Sequence, residues 1–218
     1  LQAGPSPGAI TVRTASARAL HATSGTVSVP NGVNLFTTTG AALFADGGTI
    51  DIDGGNISST NGRLAGATAG TVRIANTTWN DPVLAPGAGH GVGVEGTGRA
   101  ELGGGNRLYI SGASNRVGLG VQGPTASIAV SGALPIMFQG NSAIGIYLYG
   151  GGQLQATAPI SLTFNGASSV GLTVDGGANT ATISDLSINF ASTSTSGSTG
   201  TGIVASNGGS ASINHLVI

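Results

Sequence analysis

A five-residue phrase, a turn residue followed by a small polar residue and an apolar-polar-apolar triplet, recurs from one end of this chain to the other. Its clearest copy is Gly48-Thr49-Ile50-Asp51-Ile52. The other copies are Gly25-Thr26-Val27-Ser28-Val29, Gly70-Thr71-Val72-Arg73-Ile74, Gly98-Arg99-Ala100-Glu101-Leu102, Pro124-Thr125-Ala126-Ser127-Ile128, Gly152-Gln153-Leu154-Gln155-Ala156, Asn179-Thr180-Ala181-Thr182-Ile183 and Gly209-Ser210-Ala211-Ser212-Ile213. A looser copy stands at Gly8-Ala9-Ile10-Thr11-Val12. Successive phrases from Gly25 onward start 23, 22, 28, 26, 28, 27 and 30 residues apart, a period that signals a solenoid in which one unit is one coil.

Each period holds three short alternating segments, and alternation on that scale favours strands over helices. The phrase is the first. The second follows it, as in Val33-Asn34-Leu35, Leu108-Tyr109-Ile110, Ile136-Met137-Phe138, Ile160 to Phe164 and Leu186 to Phe190. The third precedes the next phrase, as in Leu43-Phe44-Ala45, Val92-Gly93-Val94, Leu119-Gly120-Val121, Ile146-Tyr147-Leu148, Leu172-Thr173-Val174 and Ile203-Val204-Ala205. The predicted fold is all-β: a right-handed parallel β-helix with three strands per coil and a triangular section, the hand following the crossover rule for parallel strands. About eight to nine coils, each roughly 4.8 Å above the last, make a prism about 40 Å long. The repeat runs from end to end, so residues 1–218 are expected to form one segment without an internal boundary.

Aligning the copies predicts side-chain columns. Ile110, Phe138, Phe164 and Phe190 fall together as core. Thr26, Thr49, Thr71, Arg99, Thr125, Gln153, Thr180 and Ser210 form an outward polar ladder, and Ser28, Asp51, Arg73, Glu101, Ser127, Gln155, Thr182 and Ser212 a second one. In the second, Asp51, Arg73 and Glu101 alternate in sign on successive coils.

Composition narrows function. Seven Arg, no Lys and eight acids leave a net charge of −1, which gives no electrostatic footprint for nucleic acid. After Arg116 there is no Arg or Lys, and the only acids are Asp175 and Asp185. That half must stay hydrated through Ser, Thr, Asn and Gln. The absence of Cys rules out a disulfide framework or cysteine-based metal site. The chain opens on Leu1 without a signal peptide and closes on strand-like His215 to Ile218, as expected of a piece of a longer protein.

Two stretches interrupt the rhythm. Residues 79–90 contain two prolines that oppose a continued strand and are expected to protrude as a loop. Residues 191–201 are a Ser/Thr/Gly tract of flexible character. Trp79, Asp81 and His90, at the ends of the first loop, are candidate binding residues. Trp79 either packs half-buried beneath the loop or stands exposed for a sugar or protein partner.

Chemical motifs are weak by comparison. GxGxxG occurs at Gly91 to Gly96 and at Gly118 to Gly123, but neither copy opens a helix, so both read as turn chemistry and not as a dinucleotide site. Asp46, Asp51 and Asp53 lack the spacing of a calcium loop. Asp46, Glu95 and Asp175 share a column but lie coils apart, and scattered His21, His90 and His215 make no triad. No catalytic residue, metal or cofactor is assigned.

The run Gly47-Gly48-Thr49-Ile50-Asp51-Ile52-Asp53-Gly54-Gly55, the Gly-Val-Gly-Val and Gly-Leu-Gly-Val coil openings, and Ser/Thr in place of charge resemble autotransporter passenger domains, including the pertactin-like adhesins of Gram-negative bacteria. The resemblance covers the whole chain and rests on coil grammar that filamentous haemagglutinins share. It implies secretion, a membrane barrel elsewhere in the parent protein, display at the cell surface, and a part in adhesion and virulence. The expected function is a surface adhesion module that binds host or sibling cells, through protein or glycan, by its lateral faces and loops. Self-association through Thr125, Gln153, Thr180 and Ser210 is the form the uncharged half suggests. The alternative is a carbohydrate-active β-helix enzyme or tailspike-like glycan-binding domain. No Arg-Gly-Asp tripeptide is present, so integrin-type attachment does not carry over.

Overall fold

The computed structural model describes residues 10–59, 62–81, 90–110, 115–191 and 200–218. Among them there are 21 strands and no helix, and every strand pairing is parallel. The chain winds as a β-solenoid of about seven turns, somewhat fewer than the eight or nine the phrase count suggests.

Three strand stacks make the walls. The first wall holds the phrase: β3 (Thr26–Val29), the leading halves of β6 (Thr49–Ser59) and β8 (Thr71–Asp81), then β10 (Arg99–Leu102), β13 (Ser127–Val130), β16 (Gln153–Ala156) and the leading parts of β19 (Thr180–Phe190) and β21 (Ser210–Val217). The second holds β1 (Ile10–Thr14), β4 (Val33–Thr37), the trailing halves of β6 and β8, β11 (Arg107–Ile110), β14 (Leu134–Phe138), β17 (Ile160–Phe164) and the trailing parts of β19 and β21. Because β6, β8 and β19 run through the corner, these two walls form one 13-stranded sheet. The third wall is a separate 8-stranded sheet of β2 (Leu20–Ala22), β5 (Leu43–Ala45), β7 (Ala65–Ala67), β9 (His90–Glu95), β12 (Val117–Gln122), β15 (Ile144–Tyr149), β18 (Val170–Asp175) and β20 (Thr201–Ser206).

At the corner inside β6 the chain turns through Gly54 (φ 85°) and Gly55 (φ 105°). A Cβ on Gly55 would run into the Val33 backbone of the coil before. The left-handed φ and the close approach thus both require glycine.

The core is built of in-register columns. On the second wall Val12, Leu35, Ile57, Trp79, Leu108, Ile136, Leu162 and Ile188 follow one another coil by coil. Beside them Ile110, Phe138, Phe164 and Phe190 stack as the alignment predicts. The Phe138 and Phe164 rings lie 4.7 Å apart at 10°, and Phe164 and Phe190 lie 5.3 Å apart at 18°. Buried side chains of this size each stabilise the fold by roughly 1.5–3 kcal/mol through area removed from water. Coil-to-coil backbone bonding satisfies the peptide groups between them.

Four expectations change. First, the copy at Pro124 is out by two residues: Arg99 pairs with Ser127, Ala100 with Ile128 and Glu101 with Ala129. A slip of two preserves the inward-outward alternation, so the pattern alone could not detect it. Second, Ile10 to Thr14 pairs with Val33 to Thr37 and therefore belongs to the second wall, not the first.

Third, Trp79 to Asp81 continue strand β8 and do not open a loop. Asp81 lies beyond Trp79 in register with Ile110, β9 begins at His90, and the interior of the expected loop, 82–89, lies outside the described residues. So do residues 192–199 of the second expected loop.

Fourth, the leading glycines of both GxGxxG runs sit inside strands β9 and β12, whereas only Gly96 (φ 61°) and Gly123 (φ 114°) take turn geometry. Gly91, Gly118, Gly145, Gly171 and Gly202 hold equivalent places in β9, β12, β15, β18 and β20. A Cβ on Gly118 would stand 2.6 Å from the Gly145 oxygen and 2.8 Å from Phe138 Cζ. This glycine column lets the second wall's core side chains reach the third wall.

Candidate functional site

Outward positions of the first wall fall into two columns. One reads Thr26, Thr49, Thr71, Arg99, Ser127, Gln153, Thr180 and Ser210; its neighbour reads Ser28, Asp51, Arg73, Glu101, Ala129, Gln155, Thr182 and Ser212. Strand alternation sends the residues between them inward, so the ladder is the solvent side of the phrase.

The face changes character along its length. In its middle, Asp51, Arg73 and Glu101 stand on successive coils as expected, and Glu101 accepts from both Arg73 Nε and Arg99 Nε at 2.8 Å. Exposed pairs of this kind are worth only about 0–1 kcal/mol each. Asp51, Asp53 and Glu101 line a shallow hollow of about 250 Å³ with Arg73 among them, and Asp53 accepts from Asn76 Nδ2 at 2.7 Å. Toward the C-terminal end Gln153, Gln155, Thr180, Thr182, Ser210 and Ser212 are all exposed. None carries charge.

Of the residues singled out from sequence, Gln153, Thr180 and Ser210 are brought together on consecutive coils of this face. Thr125 is not among them. It sits in the turn before β13, where its Oγ1 donates to the Gly96 oxygen at 2.9 Å; Ser127 fills its place in the ladder. Trp79 is fully buried in the second-wall column and presents no surface; its indole N–H has no hydrogen-bond partner among the described residues. Asp81 and His90 are placed only by backbone register, opposite Ile110 and Val117.

The outer edge of the third wall carries Asp46, Thr68, Glu95, Gln122, Tyr149, Asp175 and Ser206 in coil order. Neighbours bond along it: Thr68 donates to Asp46 at 2.6 Å, Tyr149 donates to Gln122, and Arg63 pairs with Glu95. Burial raises the Tyr149 phenol above its ordinary value, helped by Glu95 and Tyr147 and opposed by Arg63. At Asp175, hydrogen bonds from Ser206 (2.8 Å) and Asn207 (2.6 Å) hold the carboxyl below the usual carboxylate range. The three acids of this column are coils apart, as the alignment predicts.

A third surface escaped sequence reasoning. On the second wall, Arg13 lies over the Phe36 ring with Cζ 4.5 Å from its centroid, and Asn56 Nδ2 donates to Asn34 Oδ1 at 3.0 Å. The only sequence signal was the alternation Val33-Asn34-Leu35-Phe36-Thr37 in phase with Ile10-Thr11-Val12-Arg13-Thr14. Assigning β1 to the other wall hid it. No protein-family model matches the chain, and no curated protein or solved structure matches it.

Proposed function

We propose that this chain is a surface adhesion module, of the kind the resemblance to autotransporter passengers implies, that joins cells by docking the neutral end of its first wall onto the same face of a second copy. It acts as a binding surface and not as a catalyst. The observation that carries this reading is the block of six exposed, uncharged hydrogen-bonding side chains on three consecutive coils, Gln153 to Ser212.

Gln offers donors and an acceptor, and Ser and Thr hydroxyls serve as either, so two copies of the block are complementary in any alignment that meets a donor with an acceptor. Each bond contributes only about 0.5–1.5 kcal/mol net. A straight ladder engages several at once, and display on a cell multiplies weak contacts into avidity. Without charge on the block there is no like-charge repulsion to overcome, and little dependence on salt is expected.

The test displays the wild type and a Gln153→Asp, Thr180→Asp, Ser210→Asp triple variant on cells and compares clumping at low and high salt. Wild-type clumping that persists in high salt and is lost in the variant at low salt is the expected result. Equal clumping by both at low salt would remove this face from adhesion, and wild-type clumping abolished by salt would overturn the neutral mechanism.

A further inference from the structure

The second wall's outer face carries two tracks side by side. A polar track runs Asn34, Asn56, Thr78, Arg107 in register. Beside it, Arg13, Phe36 and Ser58 follow one another, with Tyr109 farther along. No Asp or Glu occupies either track, although the chain as a whole has net charge −1. Arg63, Arg73 and Arg99 are each paired with Glu95 or Glu101, whereas Arg13 and Arg107 have no carboxylate partner among the described residues.

The tracks bound an open groove of about 750 Å³ that spans Arg13, Asn34, Phe36, Asn56 and Thr78. A smaller hollow of about 80 Å³ continues on the same wall beside Arg107 and Tyr109. Phe36 is half-buried and Tyr109 is 38% exposed. The register puts three coil steps between these rings, roughly 14 Å, and four between Arg13 and Arg107, roughly 19 Å.

These features select a ligand. A row of amides and hydroxyls suits a row of hydroxyls, aromatic faces suit the C–H face of a sugar ring, and a guanidinium stacked on Phe36 keeps its edge N–H donors for a planar carboxylate. Two cations over roughly 19 Å are too sparse for a nucleic-acid strand, which carries a phosphate about every 3.4 Å. We propose that this groove binds a linear acidic polysaccharide, an extended polyuronate lying along the solenoid axis with about one ring per coil. Arg13 and Arg107 hold its carboxylates, Asn34, Asn56 and Thr78 its hydroxyls, and Phe36 and Tyr109 the apolar faces of its rings. The site lies on a different wall from the self-association face and stands whether or not that face is adhesive.

Isothermal titration of the whole chain with an extended β-linked oligomannuronate tests this, beside its carboxyl-reduced neutral counterpart, oligothymidylate and polyglutamate. The oligomannuronate binds and is weakened by salt. Arg13→Gln weakens it about tenfold, the size expected for one charge-assisted bond. Asn56→Ala weakens it less, and Arg99→Gln on the first wall leaves it unchanged, all three variants melting like wild type. The proposal is overturned if the oligomannuronate does not bind at about millimolar concentration, if the neutral counterpart binds equally, if oligothymidylate or polyglutamate binds more tightly, or if Arg99→Gln costs as much as Arg13→Gln.

Discussion

The C-terminal end of the first wall and the N-terminal end of the second stand on the same kind of core and show solvent entirely different chemistry. Beneath the first lie Leu154, Ala156, Ala181 and Ile183, and beneath the second Val12, Leu35, Ile57 and Trp79 in register from coil to coil, with Thr37, Ser59 and Thr77 buried beside them. Above the first wall are Gln153, Thr180 and Ser210 with their neighbours, neutral throughout. Above the second are Arg13, Phe36, Asn34 and Asn56, cationic and aromatic. In a parallel stack each strand residue answers to one side only, so the inward half fixes stability and register while the outward half is free to carry recognition. A chain of this design can change its partners without changing its fold.

The sharpest way to break that division is to cross it within one strand. Phe164→Ala removes the middle ring of a stack and leaves a cavity between Phe138 and Phe190, so stability should fall by about 3–5 kcal/mol. Thr163→Ala, the next residue on the outward side, should cost no more than about 0.5 kcal/mol. Denaturant melts of the two variants decide it; similar losses would mean that the outer face shares in holding the coils together.

A smaller effect separates glycines that the division treats differently. Gly118 faces Phe138 and the next coil's backbone, and an added methyl has no room, so Gly118→Ala should cost about 1–3 kcal/mol by overpacking. Around Gly104, at the corner between walls, a Cβ would meet nothing within 4 Å, and Gly104→Ala should stay within about 0.5 kcal/mol. Equal thermal shifts for the two would show that the third wall yields to admit a side chain.

The same division explains what could be read from sequence. Inward columns were legible because burial imposes one residue class at every second position: Phe138, Phe164 and Phe190 were aligned correctly from pattern alone. Outward registers were legible only where turn residues repeat. At Pro124 the turn changes form, and a shift of two leaves every apolar residue on the core side, so alternation fits Thr125 to the place that Ser127 fills. Ile10 to Thr14 fits either wall by alternation, and only pairing with Val33 to Thr37 reveals that Arg13 covers Phe36. The glycines of β9 and β12 read as turns in sequence because glycine marks both turns and close approaches, and sequence does not show what it approaches. The prolines after Trp79 leave it either packed beneath a loop or exposed, whereas its register with Ile57 and Leu108 puts it wholly in the core.

The least effect belongs to the third wall's edge, where outward groups do bond one another. Asp175 accepts from Ser206 and Asn207, and those bonds favour its ionised form. Its folded pKa lies below the ordinary value of about 3.9, so its contribution is present above that value and is lost as pH falls through the folded pKa. A carboxyl-resonance titration should therefore place Asp175 below the ordinary carboxylate range. Ser206→Ala should move Asp175 up toward the ordinary value and narrow the acid range over which stability declines. Because the group is at the surface, the accompanying change in melting should be slight, and that is what separates this edge from the core beneath it. A large acid-dependent loss removed by Ser206→Ala would show that one outward column had become structural. An Asp175 that titrates at or above the ordinary value would show that the bonds from Ser206 and Asn207 do not hold it ionised.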